Sequence, residues 1–367
     1  MTPKILCVVG TRPEAIKMAP VILALMAQPG IDCRVLATAQ HRNMLDQVLN
    51  VFGIEPDIDL DIMRPDQALP TLTARLLLKL DGVLPAEKPD AVLAQGDTTT
   101  VMAIALSCFY HRISFGHVEA GLRTGDMSNP FPEEMNRVIA GKLAKWHFAP
   151  TERARRNLLR DGIPSDAIVV TGNTVIDALK SVASSSPEVG VELDDSKRLI
   201  LVTAHRRENF GKPIREICRA VRTLVEHNED VQVLYPVHPN PNVWDVAHEM
   251  LRGHPRIVLC RPLDYLPFVG AMKRAYLILS DSGGVQEEAP ALGKPVLVLR
   301  SDTERPEAVE AGAARLVGPD YERIVAETQH LLDDEKAYRK MAQGISPYGD
   351  GHAAARTVKV LLQHFKL

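Results

Sequence analysis

No stretch of this 367-residue chain is long and apolar enough to cross a bilayer. Nor is there a surplus of positive charge. The formal net charge is −3, which leaves no global basic field and argues against nucleic acid as a partner. Local basic clusters such as Arg153-Ala154-Arg155-Arg156 read as solvated helix faces. No Cys-x-x-Cys pair occurs. Cys7, Cys33, Cys108, Cys218 and Cys260 are an odd set at wide spacings beside apolar residues, which predicts buried thiols in a reducing compartment. His238 and His248 have no cysteine partners at ligand spacing, so no metal is expected. The start, Met1-Thr2-Pro3-Lys4, lacks the apolar core of a signal peptide, and cytoplasm is the expected compartment.

Several signatures are missing too. There is no Gly-x-Gly-x-x-Gly fingerprint, no Walker sequence and no Gly-x-Ser-x-Gly elbow. No tyrosine has a lysine four positions later. Dinucleotide chemistry and a serine nucleophile therefore lack support, and no cofactor is expected.

What is present is a globular composition, 46% hydrophobic and 24% charged, at a length that suits two domains. Short β-branched runs alternate with helical patterns. Strands are predicted at Ile5–Val9, Val35–Ala37, Ala91–Ala94, Ile113–Gly116 and Trp146–Ala149, with helices at Ile16–Met26, Leu72–Leu84, Val101–Phe109 and Met135–Ala144. A Ser-Pro and acid-rich stretch, Ala183–Lys197, interrupts the pattern. It then restarts, with strands at Leu199–Val202, Val231–Leu234, Ile257–Leu259, Tyr276–Leu279 and Val296–Leu299. Helices follow at Ile214–Val225, Val243–Leu251 and Ile324–Leu332. The class is α/β, in two successive doubly wound parallel-sheet halves. Ligands in such sheets sit beyond the carboxyl ends of the strands.

The chemistry-bearing motifs fall at those ends. Gly10-Thr11-Arg12-Pro13-Glu14 follows the first strand. It reads as an anion-binding helix start, with Arg12 and Lys17 adding charge, or as an ordinary capped turn with capping-box spacing from Thr11 to Glu14. Asp97, in Gln95-Gly96-Asp97-Thr98, is either an acid at a strand end or the cap of the next helix. Glu119 stands directly after a buried strand, between His117 and Gly121. Glu133 follows Pro130-Phe131-Pro132, where a helix-start acid also suits the dipole. In the second half, His205-Arg206-Arg207-Glu208-Asn209 offers arginine forks suited to phosphate. Ser282, Gly283 and Gly284 form a backbone nest at a helix start, after an Asp281 that could be a mere cap. Glu288, one turn on, could take two ribose hydroxyls or simply stabilise the dipole. Arg305 is a further loop cation.

Taken together, these motifs resemble the non-hydrolysing UDP-N-acetylglucosamine 2-epimerases of bacteria, almost end to end and in family order. The resemblance implies a GT-B-like fold: two Rossmann-like doubly wound parallel-sheet domains with a cleft between them. The N-terminal domain would take residues 1–171 plus a C-terminal helix at 353–367, and the UDP-binding domain residues 172–352. It implies a homodimer interconverting UDP-GlcNAc and UDP-ManNAc without metal or redox cofactor, by elimination of UDP to 2-acetamidoglucal and re-addition. The product would supply surface polysaccharide. Carried over by motif, Asp97, Glu119 and Glu133 are the acid/base carboxylates, and His205 is a catalytic group near the diphosphate. Arg12, Ser282, Gly283 and Gly284 are diphosphate contacts, Glu288 is the ribose ligand, and Lys17 and Arg305 are nearby cations. The uracil is expected at Pro262 to Phe268.

Departures from the pattern are specific. Gln95 replaces a histidine before Gly-Asp, which implies altered hydrogen bonding around Asp97. Ser301 replaces an acid or amide near Arg305. Relatives bind a second UDP-GlcNAc as activator. Gln40, His41, Arg207 and His238 match that pattern, but Asn43 and Asp66 do not. An acid at 66 would repel a diphosphate, so activation by substrate is expected to be weakened or absent. A UDP-sugar glycosyltransferase, a hydrolysing epimerase and a non-catalytic UDP-sugar sensor are the competing readings.

Overall fold

The structure is a computed structural model that describes residues 2–38, 42–62, 64, 67–344 and 346–367. The chain forms two compact units, Met1–Ala178 with Tyr348–Leu367, and Leu179–Pro347.

The first unit is built on β1 (Lys4–Val9), β2 (Asp32–Ala37), β3 (Ile58–Asp59), β4 (Ala91–Gln95), β5 (Ser114–Val118), β6 (Trp146–Ala149) and β7 (Ile168–Val170). They form one sheet in the order β3-β2-β1-β4-β5-β6-β7. Every pairing is parallel, with Val8 beside Ala94 and Gln95 beside Val118. Parallel strands need crossovers, and helices supply them. The helix Leu69–Glu87 buries Leu72, Leu76, Leu80 and Leu84. That four-residue spacing is one helical stripe, each leucine contributing about 2 kcal/mol of burial.

The second unit repeats the plan with β8 (Arg198–Thr203), β9 (Val231–Pro236), β10 (Ile257–Cys260), β11 (Leu277–Ser280), β12 (Val296–Val298) and β13 (Ala314–Leu316). Their order is β10-β9-β8-β11-β12-β13, again all parallel. The helix Lys212–His227 turns Ile214, Ile217, Val221 and Leu224 inward. In both sheets the direction of winding reverses between the first strand and the fourth. Those switch points, β1/β4 and β8/β11, are where a doubly wound sheet opens a binding crevice.

The expected strands are all found, none with an end moved by more than three residues, and Trp146–Ala149 unchanged. Three short strands escaped the reading of the sequence: β3, β7 and β13. Strands of two or three residues are too brief for a period of two to register. The helices Arg42–Val51, Thr174–Ser184, Tyr265–Arg274 and Glu335–Met341 were also not foreseen. Arg153 and Arg156 lie exposed on the helix Glu152–Arg160, as expected of a solvated helix face.

The chain returns to the first unit at Tyr348 and ends in the helix Ala353–Phe365. The N-cap of that helix, His352, makes no side-chain capping bond. Asp177 does the work from elsewhere, accepting from Ala353 N at 3.2 Å and Ala354 N at 2.8 Å. Arg356 adds bonds to Asp350 and to the Thr171 carbonyl. Burial pushes the Asp177 carboxyl above its ordinary range, partly offset by the two amides it accepts. Asp177→Ala should cost about 1–2 kcal/mol in urea unfolding and raise amide exchange selectively in Ala353–Phe365.

Candidate functional site

At the β1/β4 switch point the backbone turns at Gly10. A Cβ there would lie 2.6 Å from Thr38 Oγ1 and 2.9 Å from Thr100 Oγ1, so only glycine fits. Glu14, at the third position of the helix Arg12–Met26, folds its carboxylate back into this turn. Its Oε2 accepts from Gly10 N at 2.7 Å and Thr11 N at 2.8 Å, and Oε1 accepts from Thr98 Oγ1 at 2.5 Å. The N–H groups read from the sequence as an open anion site are thus taken by the chain's own acid. Arg12 and Lys17 add positive charge beside this turn. Burial, against the pull of these donors, raises the Glu14 carboxyl to about 7.

The β4 turn settles the question of Asp97. Thr98, not Asp97, caps the helix Thr99–His111, accepting from Val101 N. Asp97 instead receives two N–H groups from Arg137, Nε at 2.9 Å and Nη2 at 2.7 Å, both on Oδ2. Asn136 Nδ2 also donates to the Asp97 carbonyl at 2.9 Å. Both partners lie on the helix Glu133–Leu143, so this helix is pinned to the Asp97 turn. Burial opposes the charge of Arg137, but Asp97 and Glu134 outweigh it and raise its affinity for the proton. Glu134 is buried and accepts from Thr124 N and Gly125 N as well as from Arg137. Glu133 begins the helix, and its Oε2 is buried without a hydrogen-bond partner. His117 Nε2 meets the Gly96 carbonyl at 2.7 Å. Burial pulls His117 down to about 4, so it is a neutral donor there.

Glu119 follows β5 in a left-handed conformation, φ +62°, uncommon for a residue with a side chain. It is 8% exposed. Oε1 accepts from Lys17 Nζ at 2.6 Å and Asn173 Nδ2 at 2.7 Å, and Oε2 accepts from Gln95 Nε2 in a short bond. The replacement of histidine by Gln95 therefore bears on Glu119, not on the hydrogen bonding of Asp97 as the motif alone suggested. Gly121 then needs its φ of +93°, and a Cβ there would meet the Ala154 carbonyl oxygen at 2.4 Å.

The second unit builds its switch point around Asp281, which is fully buried. Its Oδ2 accepts from His205 N at 2.8 Å, Arg206 N at 2.8 Å and Asn209 Nδ2 at 2.9 Å. Asp281 thus ties the β8 turn to the β11 turn and is no mere cap. His205 Nδ1 lies 3.5 Å from its Oδ1. The His205 ring stacks on His238 at 5.5 Å between centroids. His238 Nδ1 accepts from Asn240 N. Burial, then His238 and Arg206, lower His205, and Asp281 resists the shift. Ser282, Gly283 and Gly284 open the short helix Gly283–Glu288 with no side-chain capping bond from Ser282. A Cβ built on Gly283 would lie 3.8 Å from Arg206 Nη2 and 4.0 Å from Arg305 Nη2. Two guanidinium groups therefore flank this helix start. Arg305 is steadied by Glu287 through a short bond from its Nε.

Phe268 lies half-buried in the helix Tyr265–Arg274, and Glu288 is half-buried at the last position of its helix rather than deep within it. Arg207 is exposed in the one-turn helix Arg207–Asn209. Of the two arginines read from that motif as phosphate forks, it is Arg206 that faces Gly283. Arg137 and Asn173 were missed. Their partners are 40 and 54 positions away, and only topology brings them close. Gln40, His41 and Asp66 lie outside the described residues, and of Asn43 only its place in the helix Arg42–Val51 is described. A cavity of about 580 Å³ in the second unit is lined by Lys212, Arg219, Arg300, Ser301 and Tyr321. It contains neither His205 nor the Ser282 nest. Among the described residues no cluster of three His, Cys, Asp or Glu could hold a metal ion, and no helix is long and apolar enough to cross a membrane. All five thiols are free, with Cys7, Cys108 and Cys218 buried and Cys33 and Cys260 half-buried. Burial pushes Cys108 and Cys218 up to about 12 and Cys260 to about 11. Those three are not poised as nucleophiles.

Known proteins place this geometry. Residues 23–362 match the family described as UDP-N-acetylglucosamine 2-epimerase. The chain is 53% identical to the UDP-N-acetylglucosamine 2-epimerase of Yersinia pestis, over 98% of this chain and 99% of that protein. It is 54% identical to that of Salmonella typhimurium over 98% of each. The UDP-GlcNAc 2-epimerase of Neisseria meningitidis, solved bound to UDP-GlcNAc, superposes with a TM-score of 0.88 at 47% identity, covering 98% of this chain and 100% of that one. With its two all-parallel Rossmann-like sheets, the chain belongs to the UDP-N-acetylglucosamine 2-epimerase family, of non-hydrolysing bacterial type.

Proposed function

We propose that this isomerase interconverts UDP-N-acetylglucosamine and UDP-N-acetylmannosamine by eliminating UDP and adding it back. The observation that carries the proposal is Glu119, a nearly buried carboxylate whose named contacts are all donors, in the same network of turns as Asp97 and the Glu133 helix.

The C2 proton of the substrate is not acidic, because no carbonyl activates it. Breaking the C1–O bond changes that. The electron pair leaves with the diphosphate oxygen, positive charge grows at C1, and the C2 proton becomes labile. A carboxylate takes that proton, the C–H pair becomes the C1–C2 double bond, and 2-acetamidoglucal and UDP result. Delivering a proton to the other face of C2 while the diphosphate oxygen attacks C1 gives the epimer. Two faces call for two carboxylates, and Asp97, Glu119 and Glu133 supply candidates for both.

The second unit would keep the leaving group. The uncapped start at Ser282, Gly283 and Gly284 offers N–H groups to the diphosphate, with Arg206 and Arg305 beside it. His205 is lowered toward its neutral form, so it suits hydrogen bonding to a phosphate oxygen and not a fixed countercharge. Arg12 and Lys17 add positive charge from the first unit. Glu288 would bind the ribose, and the uracil would lie by Phe268. A cytoplasmic homodimer feeding surface polysaccharide synthesis is the setting this reaction suits.

Incubation with UDP-GlcNAc in D2O, followed by NMR, should show UDP-ManNAc with deuterium at C2. Release of free sugar would establish hydrolysis instead, and inertness without an acceptor would point to transfer or sensing. Asp97→Asn should lower kcat by about 10²–10⁴-fold while calorimetric UDP affinity stays within about threefold, because the proposed UDP groups lie mainly in the other unit. On the expectation from Asn43 and Asp66, UDP-ManNAc alone should be converted without a lag. A reverse reaction that starts only after UDP-GlcNAc is added would refute that.

A further inference from the structure

The Glu119 side chain depends on a residue outside every motif read from the sequence. We propose that Asn173 is a positioning residue for Glu119, and that the chain's return at Tyr348 holds Asn173 in place for that task. The proposal rests on the reading of Glu119 as a base that works ionised.

The carboxamide of Asn173 has one orientation. Its Oδ1 accepts from Val175 N at 3.1 Å, at the start of the helix Thr174–Ser184. The amide Nδ2 therefore faces Glu119, 2.7 Å from Oε1. Asn173 is 2% exposed, so water does not replace this donor readily. Its backbone N–H donates to the Tyr348 carbonyl at 2.6 Å. Gly172 and Gly349 allow the close approach: a Cβ on Gly172 would lie 3.2 Å from Gly349 Cα, and one on Gly349 would lie 3.4 Å from Asn173 N. Arg356 bonding Thr171 and Asp177 capping the last helix clamp residues 171–177 to 350–356 on either side of that contact.

The location gives the contact its meaning. The chain passes from the first unit to the second after Ala178, inside the helix that Asn173 opens, and passes back at Tyr348. Asn173 touches the segments at both passages and Glu119 as well. One residue, through its side chain and its backbone N–H, thus links a proposed base to the two points where the chain passes between the units.

The groups that face Glu119 set what its loss would do. Lys17 approaches from the helix Arg12–Met26 as a cation, and Gln95 from β4 as a neutral amide. His117, on its own strand, is neutral because burial holds it near 4, and Arg123 and Arg137 bear on that histidine. Removing one donor from an ionised carboxylate favours its protonated form.

Asn173→Asp separates positioning from plain structure. It keeps an oxygen for Val175 N and the shape of the residue, but sets a carboxylate where Glu119 had a donor. Asn173→Ala removes both contacts. For positioning, kcat should fall on the order of 10–100-fold in both, with KM within about threefold. The acid limb of the kcat–pH profile should move up by about one pH unit in Asn173→Ala and further in Asn173→Asp. Gly349→Ala, which crowds the Asn173 backbone, should move the limb the same way by less. An Asn173→Asp enzyme with the parent's kcat and acid limb overturns the proposal, and an unmoved limb in Gly349→Ala overturns the part played by Tyr348. Glu119→Gln, assayed in parallel, tests the premise. If it still epimerises and exchanges the C2 proton at the parent rate, the reading of Glu119 fails. If it is inactive while Asn173→Asp is unimpaired, the positioning proposal alone fails.

Discussion

The molecule depends on surrounding its buried carboxylates with hydrogen-bond donors. Glu119 is the sharpest case. Burying an ionised group without partners costs several kcal/mol, and its left-handed backbone adds about 1 kcal/mol more. Lys17 offsets the first cost with charge, and the amides of Gln95 and Asn173 add direction. Because Lys17, Gln95 and Asn173 come from three separate elements, the carboxylate can turn only if several of them move. This is preorganisation in the strict sense: the reorganisation is completed during folding and is not left to the moment of reaction.

The two units solve the same topological problem with opposite contents. Each has a switch point between its first and fourth strands, and each bridges the two turns there with a buried acid. Glu14 joins Gly10 and Thr11 to Thr98, and Asp281 joins His205, Arg206 and Asn209 to the β11 turn. These acids consume backbone N–H groups that would otherwise attract anions. What each unit presents instead is then decided by side chains. The first offers Asp97, Glu119 and Glu133. The second leaves the helix start at Gly283 uncapped and places Arg206 and Arg305 around it.

Much of this was legible in the sequence, for identifiable reasons. Alternation of β-branched runs and helical periods is a local signal, and it located ten of the thirteen strands among the described residues. Motifs at strand ends were legible because parallel sheets put ligands there. What failed was partnership. Asp97 looked like a cap because a strand-end aspartate before threonines is locally ambiguous, and only the distant Arg137 resolves it. Gln95 was assigned to Asp97, two positions on, but β4 ends at Gln95 and its amide reaches across to the turn after β5. Arg206 and Arg207 are equivalent in composition. The turn geometry exposes one and aims the other at Gly283.

The distribution of charge fits the proposed reaction more closely than the binding of a neutral sugar would require. In the contacts around Asp97 and Glu119, Lys17 and Arg137 face Asp97, Glu119 and Glu134. Each of these acids is matched by a donor at rest, and each would gain further only when a cation develops nearby. Departure of a diphosphate creates that cation on the sugar and an anion on the leaving group at the same instant. Carboxylates answer the first of these charges and guanidinium groups at a helix start answer the second, so each set favours the charge-separated state over the intact substrate, which is what acceleration demands. A site built only to recognise a UDP-sugar would need the second half of this arrangement and would have no use for the first.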